Sequence, residues 1–209
     1  MKSSYRFYRA CYRIAQAFFG IFYGYKVHGI ENVPEGAAMI CVNHSSLYDP
    51  VLAALACGIG NHLHIIAKEE LYRVPVLSAV ITKLGAIKVD RGTLDVKSVK
   101  ETFTYLNKGE KVAIFPEGTR RPVEGAVSAR SGAIKLAVQA KVPIVPLFIP
   151  RKKPLFRKIR IFIGEPYVIE KQSVKRTSEE YSRLADALMD KIEGLNPAKG
   201  MHGAGNMDS

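Results

Sequence analysis

Short, almost uniformly apolar runs alternate along the chain with stretches whose apolar residues recur every three or four positions. Ala37–Val42, Ile65–Ala67, Ala86–Val89, Lys111–Phe115 and Ile144–Ile149 read as buried strands bounded by turn residues or charges. Between them, Pro50–Cys57, Val74–Leu84, the stretch opened by Asp95, and Ala133–Ala140 read as helices. Gly85 is placed to end the second of these, and Asp95 to cap the third, with Val96, Val99, Phe103 and Leu106 on its core face. Tyr25–Ile30 reads as a short strand, and Ile159–Ile163 and Tyr167–Ile169 as strands at the sheet edge. Thr177 and Glu180 are spaced as a capping box. They open a helix to about Glu193 that turns Tyr181, Leu184, Leu188 and Ile192 inward. Strands alternating with helices predict an α/β fold, a mostly parallel sheet flanked by helices.

The first turns of the chain differ from the rest. Arg6, Arg9, Arg13 and Gln16 form one polar stripe at helical spacing, and aromatic and aliphatic residues such as Phe7, Tyr8, Tyr12, Phe18, Phe19 and Phe22 cover the remainder. No acidic residue precedes Glu31. A basic amphipathic helix rich in aromatics suits a membrane interface; its uncharged run is too short to span a bilayer, and a signal peptide is not expected because Gln16 interrupts the apolar run and no A-x-A-like site follows. The chain thus divides into an N-terminal amphipathic segment (1–26), an α/β domain (27–195) and a polar, Gly-rich tail expected to be disordered (196–209).

The 209 residues carry a formal net charge of +12, which points to an anionic partner. Basic residues sit on an aromatic helix and no nucleic-acid recognition motif is present, so an anionic membrane surface is expected and nucleic acid is not. A further basic run, Arg151–Lys158, surrounds Leu155 and Phe156 and reads either as a solvated loop or as a second membrane patch. Cys11, Cys41 and Cys57 lack metal-ligand spacing and read as reduced thiols. His62 and His64 share a strand face but lack further ligands at metal spacing, so no metal is expected.

Candidate chemistry centres on Asn43-His44-Ser45-Ser46-Leu47-Tyr48-Asp49-Pro50, just past the first buried strand. That is where open α/β sheets bind ligands. His44 can act as a general base, and Asp49 can orient it. Asp49 ahead of Pro50 equally suits a helix N-terminus. Phe115-Pro116-Glu117-Gly118-Thr119-Arg120 follows another strand-like run.

These two blocks, with Gly85-Ala86-Ile87-Lys88-Val89-Asp90-Arg91 and Val142–Pro146, occur in the order and pattern of the glycerolipid acyltransferase family (N-H-x-S-x-x-D, G-x-I-x-V-x-R, F-P-E-G-T-R, V-P-I-V-P), which the chain resembles. The resemblance implies acyl transfer from a thioester, carried by coenzyme A or acyl carrier protein, to the free hydroxyl of 1-acylglycerol 3-phosphate (lysophosphatidic acid). The product would be phosphatidic acid, no cofactor would be needed, and the work would be done at the cytoplasmic face of the cell membrane by a peripheral or monotopic protein. His44 would be the base and Asp49 its orienting partner. Arg91 and Arg120, with Lys68 and Lys88 as weaker candidates, would bind phosphate. Glu117, Gly118, Thr119 and Ser46 would complete the acceptor site, Ser45 and Ser46 also being candidate oxyanion donors. Another acceptor, such as glycerol 3-phosphate or a different lysolipid, and a non-catalytic lipid-binding protein of the same fold are the alternatives.

Overall fold

A computed structural model describes residues 2–90, 95–118, 120, 129–170 and 176–200. Helix α1 (Lys2–Phe22) leads into β1 (Tyr25–His28), β2 (Ala38–Val42), α2 (Asp49–Cys57), β3 (Leu63–Lys68), α3 (Pro75–Lys83) and β4 (Ile87–Val89). There follow α4 (Val96–Asn107), β5 (Lys111–Ile114), α5 (Gly132–Ala140), β6 (Ile144–Phe148), β7 (Ile159–Ile163), α6 (Ser178–Gly194) and a short α7 (Pro197–Gly200). The seven strands lie in the order β1-β7-β6-β2-β5-β3-β4. All neighbouring pairs are parallel except β6 and β7.

The strand at the centre, β2, is fully buried, as its unbroken Ala-Met-Ile-Cys-Val run requires in a sheet covered on both faces. Alternation along it feeds two cores. Ala38, Ile40 and Val42 pack toward α1 and α2, whereas Met39 and Cys41 pack among residues of α5 and α6. The helix pattern at 178–194 is met in full: Thr177 accepts from the Glu180 N–H, and the Glu180 carboxylate accepts from the Thr177 N–H. Asp95 likewise caps α4 through the Ser98 N–H at 2.7 Å.

Three expectations change. Ile159–Ile163 is an interior strand, because β1 pairs with it in parallel and takes the edge. Tyr167–Ile169 contributes only an isolated bridge, Tyr167 to Ile144. The tail expected from Asn196 begins with α7, and residues 201–209 lie outside those described.

In α1, Tyr8, Tyr12, Phe19 and Tyr23 just past its end are buried, while Ile14, Phe18, Ile21 and Phe22 are exposed beside the arginines. The helix packs on α2 and α3, and the Tyr8 and Tyr12 hydroxyls donate to the carbonyls of Asn61 and Leu55. No helix among the described residues is long and apolar enough to cross a membrane.

Candidate active site

Parallel strands place their C-terminal ends on one edge of the sheet. β2 therefore delivers His44, β5 delivers Phe115 to Gly118, β6 delivers Arg151 and Lys153, and β3 ends at Lys68. Because β2 lies between β5 and β6, the first three exits converge.

Asp49 is fully buried in the first turn of α2, yet its carboxylate caps no helical N–H of its own. It faces back into the preceding loop. Oδ2 accepts from the N–H groups of Ser45 (2.6 Å) and Ser46 (2.7 Å) and lies 3.0 Å from His44 Nδ1. Oδ1 accepts from the Ser46 hydroxyl at 3.0 Å and from Lys153 Nζ at 2.8 Å. Burial opposes ionisation of Asp49, but the bonds from His44, Lys153 and the Ser45 N–H outweigh it and hold the carboxyl well below the usual carboxylate range. An ionised Asp49 only accepts, so His44 Nδ1 carries a hydrogen, and in the neutral imidazole the lone pair is then on Nε2. The imidazole stacks on Phe115 with ring centroids 4.2 Å apart and remains partly exposed. The structure thus replaces the helix-cap reading of Asp49 with a His–Asp pair.

Two buried groups hold the loop that carries this pair. The Asn43 amide accepts from the Ile149 N–H and donates to the Ile149 carbonyl, both at 2.8 Å, continuing the β2–β6 ladder past its end. Glu117 Oε1 accepts the His44 N–H at 2.9 Å. Arg151 lies beside Glu117 at 3.5 Å and pairs with Glu193 of α6. Burial pushes the Glu117 carboxyl up, against the pull of the His44 N–H and Arg151. Glu117 Oε2 is buried and accepts no hydrogen bond among the described residues.

A cavity of about 1370 Å³ opens at His44. Its apolar part runs between α1, α2 and α3, past Tyr12, Val51, Leu77 and Ile81. Its polar wall carries Lys68, Arg120, Arg130 and Lys135. Gly118 has a left-handed φ of 68°, and a Cβ there would stand 2.6 Å from Arg130 Nε, so the turn admits only glycine. His44, Gly118, Lys68 and Arg120 therefore share one cavity. Ser46 is drawn into the support of Asp49, and Lys88 pairs with Glu69 at 2.7 Å. Arg91 and Thr119 lie outside the described residues.

His62 and His64 are structural. Tyr8, His62, His64 and Tyr105 form a continuous ring stack, His62 Nε2 lies 2.9 Å from the Leu84 carbonyl, and His64 bridges the Gly85 carbonyl and Glu110. A Cβ at Gly85 (φ 76°) would meet the His64 ring at 2.7 Å, which accounts for that glycine. No cluster of three metal-ligating side chains occurs among the described residues. Cys41 is buried on the sheet face occupied by α5 and α6, and burial pushes its thiol up, which removes it as a nucleophile for His44.

Sequence reasoning missed Lys153 and Arg151. Both sit in a run of five basic residues that reads as a solvated loop or a membrane patch. The signal available was period-2 alternation beyond β6: Arg151 and Lys153 turn inward while Lys152 between them is exposed.

Residues 24–150 match the family described as Acyltransferase. The chain is 30% identical over 195 residues to the 1-acyl-sn-glycerol-3-phosphate acyltransferase of Bacillus subtilis, covering 90% of this chain and 96% of that protein. It is 35% identical over 126 residues to the enzyme of the same name from Pseudomonas aeruginosa, covering 59% of this chain and 48% of that one. Its fold is similar to the crystal structure of the 1-acyl-sn-glycerophosphate acyltransferase of Thermotoga maritima, with a TM-score of 0.63 and 25% identity over 94% of this chain and 79% of that one. With a family match over residues 24–150 and a relative 30% identical over nearly the whole of both chains, the chain belongs to the acyltransferase family.

Proposed function

We propose that this protein moves a fatty acyl group from a thioester donor, acyl-coenzyme A or acyl carrier protein, to the sn-2 hydroxyl of 1-acylglycerol 3-phosphate, forming phosphatidic acid. The observation that carries the reading is His44, braced by a buried, ionised Asp49, at the mouth of a cavity that is apolar along one wall and cationic along the other. The relatives' names supply the acceptor.

In this reading His44 Nε2 takes the acceptor's hydroxyl proton as the oxygen attacks the thioester carbonyl. The tetrahedral intermediate collapses, the C–S bond breaks, and the thiolate recovers the proton from the imidazolium. Asp49 stabilises that imidazolium, and no protein nucleophile is required. Arg120 and Lys68, with Arg91 at the end of the Gly85–Arg91 block, hold the acceptor phosphate. The apolar channel between α1 and α3 takes an acyl chain.

The exposed Ile14, Phe18, Ile21 and Phe22 of α1, flanked by Arg6, Arg9 and Arg13, rest this face on an anionic bilayer, the source of the acceptor. The cytoplasmic face of the cell membrane is the proposed location. Incubation with 1-acylglycerol 3-phosphate and each donor in turn, with mass spectrometry of the lipid products, tests the reading. Phosphatidic acid acylated at sn-2 is expected from at least one donor, and its absence from both refutes the assignment. Acylation of glycerol 3-phosphate in place of the lysolipid would replace the acceptor.

A further inference from the structure

Lys153 is an unusual residue to find behind a catalytic pair. Its side chain is 4% exposed, and nothing in the proposed reaction employs it. A buried ammonium is costly unless all its hydrogens find acceptors. Here the three are Asp49 Oδ1 at 2.8 Å, the Ser45 hydroxyl at 2.9 Å and the Arg151 carbonyl at 3.5 Å. With its donors used, Lys153 is not built to receive a substrate phosphate, unlike Arg120 and Lys68 on the cavity wall.

Its placement on Asp49 has an electrostatic consequence. A buried carboxylate attracts the protonated form of a neighbouring imidazole, which works against its use as a proton acceptor. Oδ2 faces His44, and Oδ1, on the far side, faces the ammonium. We propose that Lys153 is a positioning residue that locks Asp49 onto His44 and offsets its charge, so that the imidazole stays available as a free base. The inference rests on the reading of His44 as the base.

Other ionisable groups surround the ring. Glu117, beyond β5, accepts the His44 N–H and is itself beside Arg151, which is held by Glu193 of α6. Lys68, Arg120 and Arg130 line the cavity farther out. Of the two cations that stand directly behind a carboxylate touching His44, Arg151 is shared with Glu193, so Lys153 is the one assigned to Asp49.

The test is a titration of the His44 ring in protein labelled with ¹⁵N-histidine, the resonance assigned with His44→Gln. Parent, Lys153→Met and Lys153→Arg are compared across the range in which imidazole titrates. Removing the unit charge on the far side of Asp49 from the ring is expected to raise the His44 midpoint by about one pH unit in Lys153→Met. Lys153→Arg, which keeps the charge, is expected to bring it back toward the parent. In acyl transfer, the acid limb of kcat/KM should move with it while KM for the phosphate-bearing acceptor stays put. A midpoint in Lys153→Met that coincides with the parent's overturns the inference, as does a rise in acceptor KM with an unmoved limb, which would make Lys153 a phosphate ligand. If Lys153→Met does not fold, Lys153→Gln, which keeps a donor and removes the charge, carries the same comparison. The ring titration needs no substrate, so its failure is distinct from a failure of acyl transfer.

Discussion

Asp49→Asn separates the ion pair from the rest of the network with the smallest change in shape. The N–H groups of Ser45 and Ser46 both need an acceptor, so the amide oxygen takes the place of Oδ2. The amide NH₂ then meets Lys153 Nζ and the Ser46 hydroxyl, donors to a carboxylate oxygen in the parent. Lys153 keeps the Ser45 hydroxyl and the Arg151 carbonyl but loses its one negative partner among the described residues, in a site where its side chain is 4% exposed. Breaking a buried pair from one side costs about 3–5 kcal/mol, and the two surviving acceptors place this case near 3 kcal/mol. For a chain of this size that lowers Tm by about 6–12 °C. Lys153→Met leaves the carboxylate with its two backbone donors, the Ser46 hydroxyl and His44, and costs about 2 kcal/mol by the same argument. The double variant buries neither charge, so its loss should fall short of the sum by at least about 1.5 kcal/mol. Urea unfolding of the four proteins measures the cycle. Additivity within about 0.5 kcal/mol would refute the claim that Asp49 and Lys153 are a coupled, desolvated pair.

Other consequences follow from the same contacts. Asp49 is held below its ordinary titration range, so its stabilising contribution is present above about pH 4 and is lost as pH falls through the lower folded value. The stability gap between parent and Asp49→Asn should therefore be widest above about pH 4 and close in acid; a gap that widens in acid would contradict this sign. Asn43→Leu strands the Ile149 N–H and carbonyl and should cost about 2–4 kcal/mol, with loss of turnover because His44 is the next residue; unfolding within about 0.5 kcal/mol of the parent would contradict the role given to the amide. Ile14→Ser with Ile21→Ser removes apolar side chains that are 71% and 72% exposed. It should leave the unfolding free energy within about 0.5 kcal/mol of the parent while weakening sedimentation with anionic vesicles, and unchanged sedimentation would remove α1 from the membrane contact.

The strands were legible because burial on both faces leaves uninterrupted apolar runs, as in Ala38–Val42. The helix from Ser178 was legible because Thr177 and Glu180 satisfy its first N–H groups locally. His44 and Asp49 are five residues apart and just past a strand, so their meeting was readable too. Strand order was not, because periodicity reports which face is buried and never which neighbour lies beside it. This is why Ile159–Ile163 read as an edge strand while β1, more than 130 residues earlier, covers it. Lys153 escaped for the same reason. Its partner Asp49 is 104 residues away, and only the packing of β6 beside β2 brings the two together. Asn43 is the reverse case: the family pattern includes it, but its work of extending the ladder to Ile149 appears only once that pairing is known.

The central claim is that His44 is the base that activates the acceptor hydroxyl. Thiol release from a long-chain acyl-coenzyme A, or from acylated carrier protein, with and without 1-acylglycerol 3-phosphate, tests it directly when the parent is compared with His44→Ala. Release that depends on the acceptor in the parent and falls by about 10²–10⁴-fold in the variant, with the fold retained, is the predicted result. Acceptor-dependent release that survives in His44→Ala would contradict it.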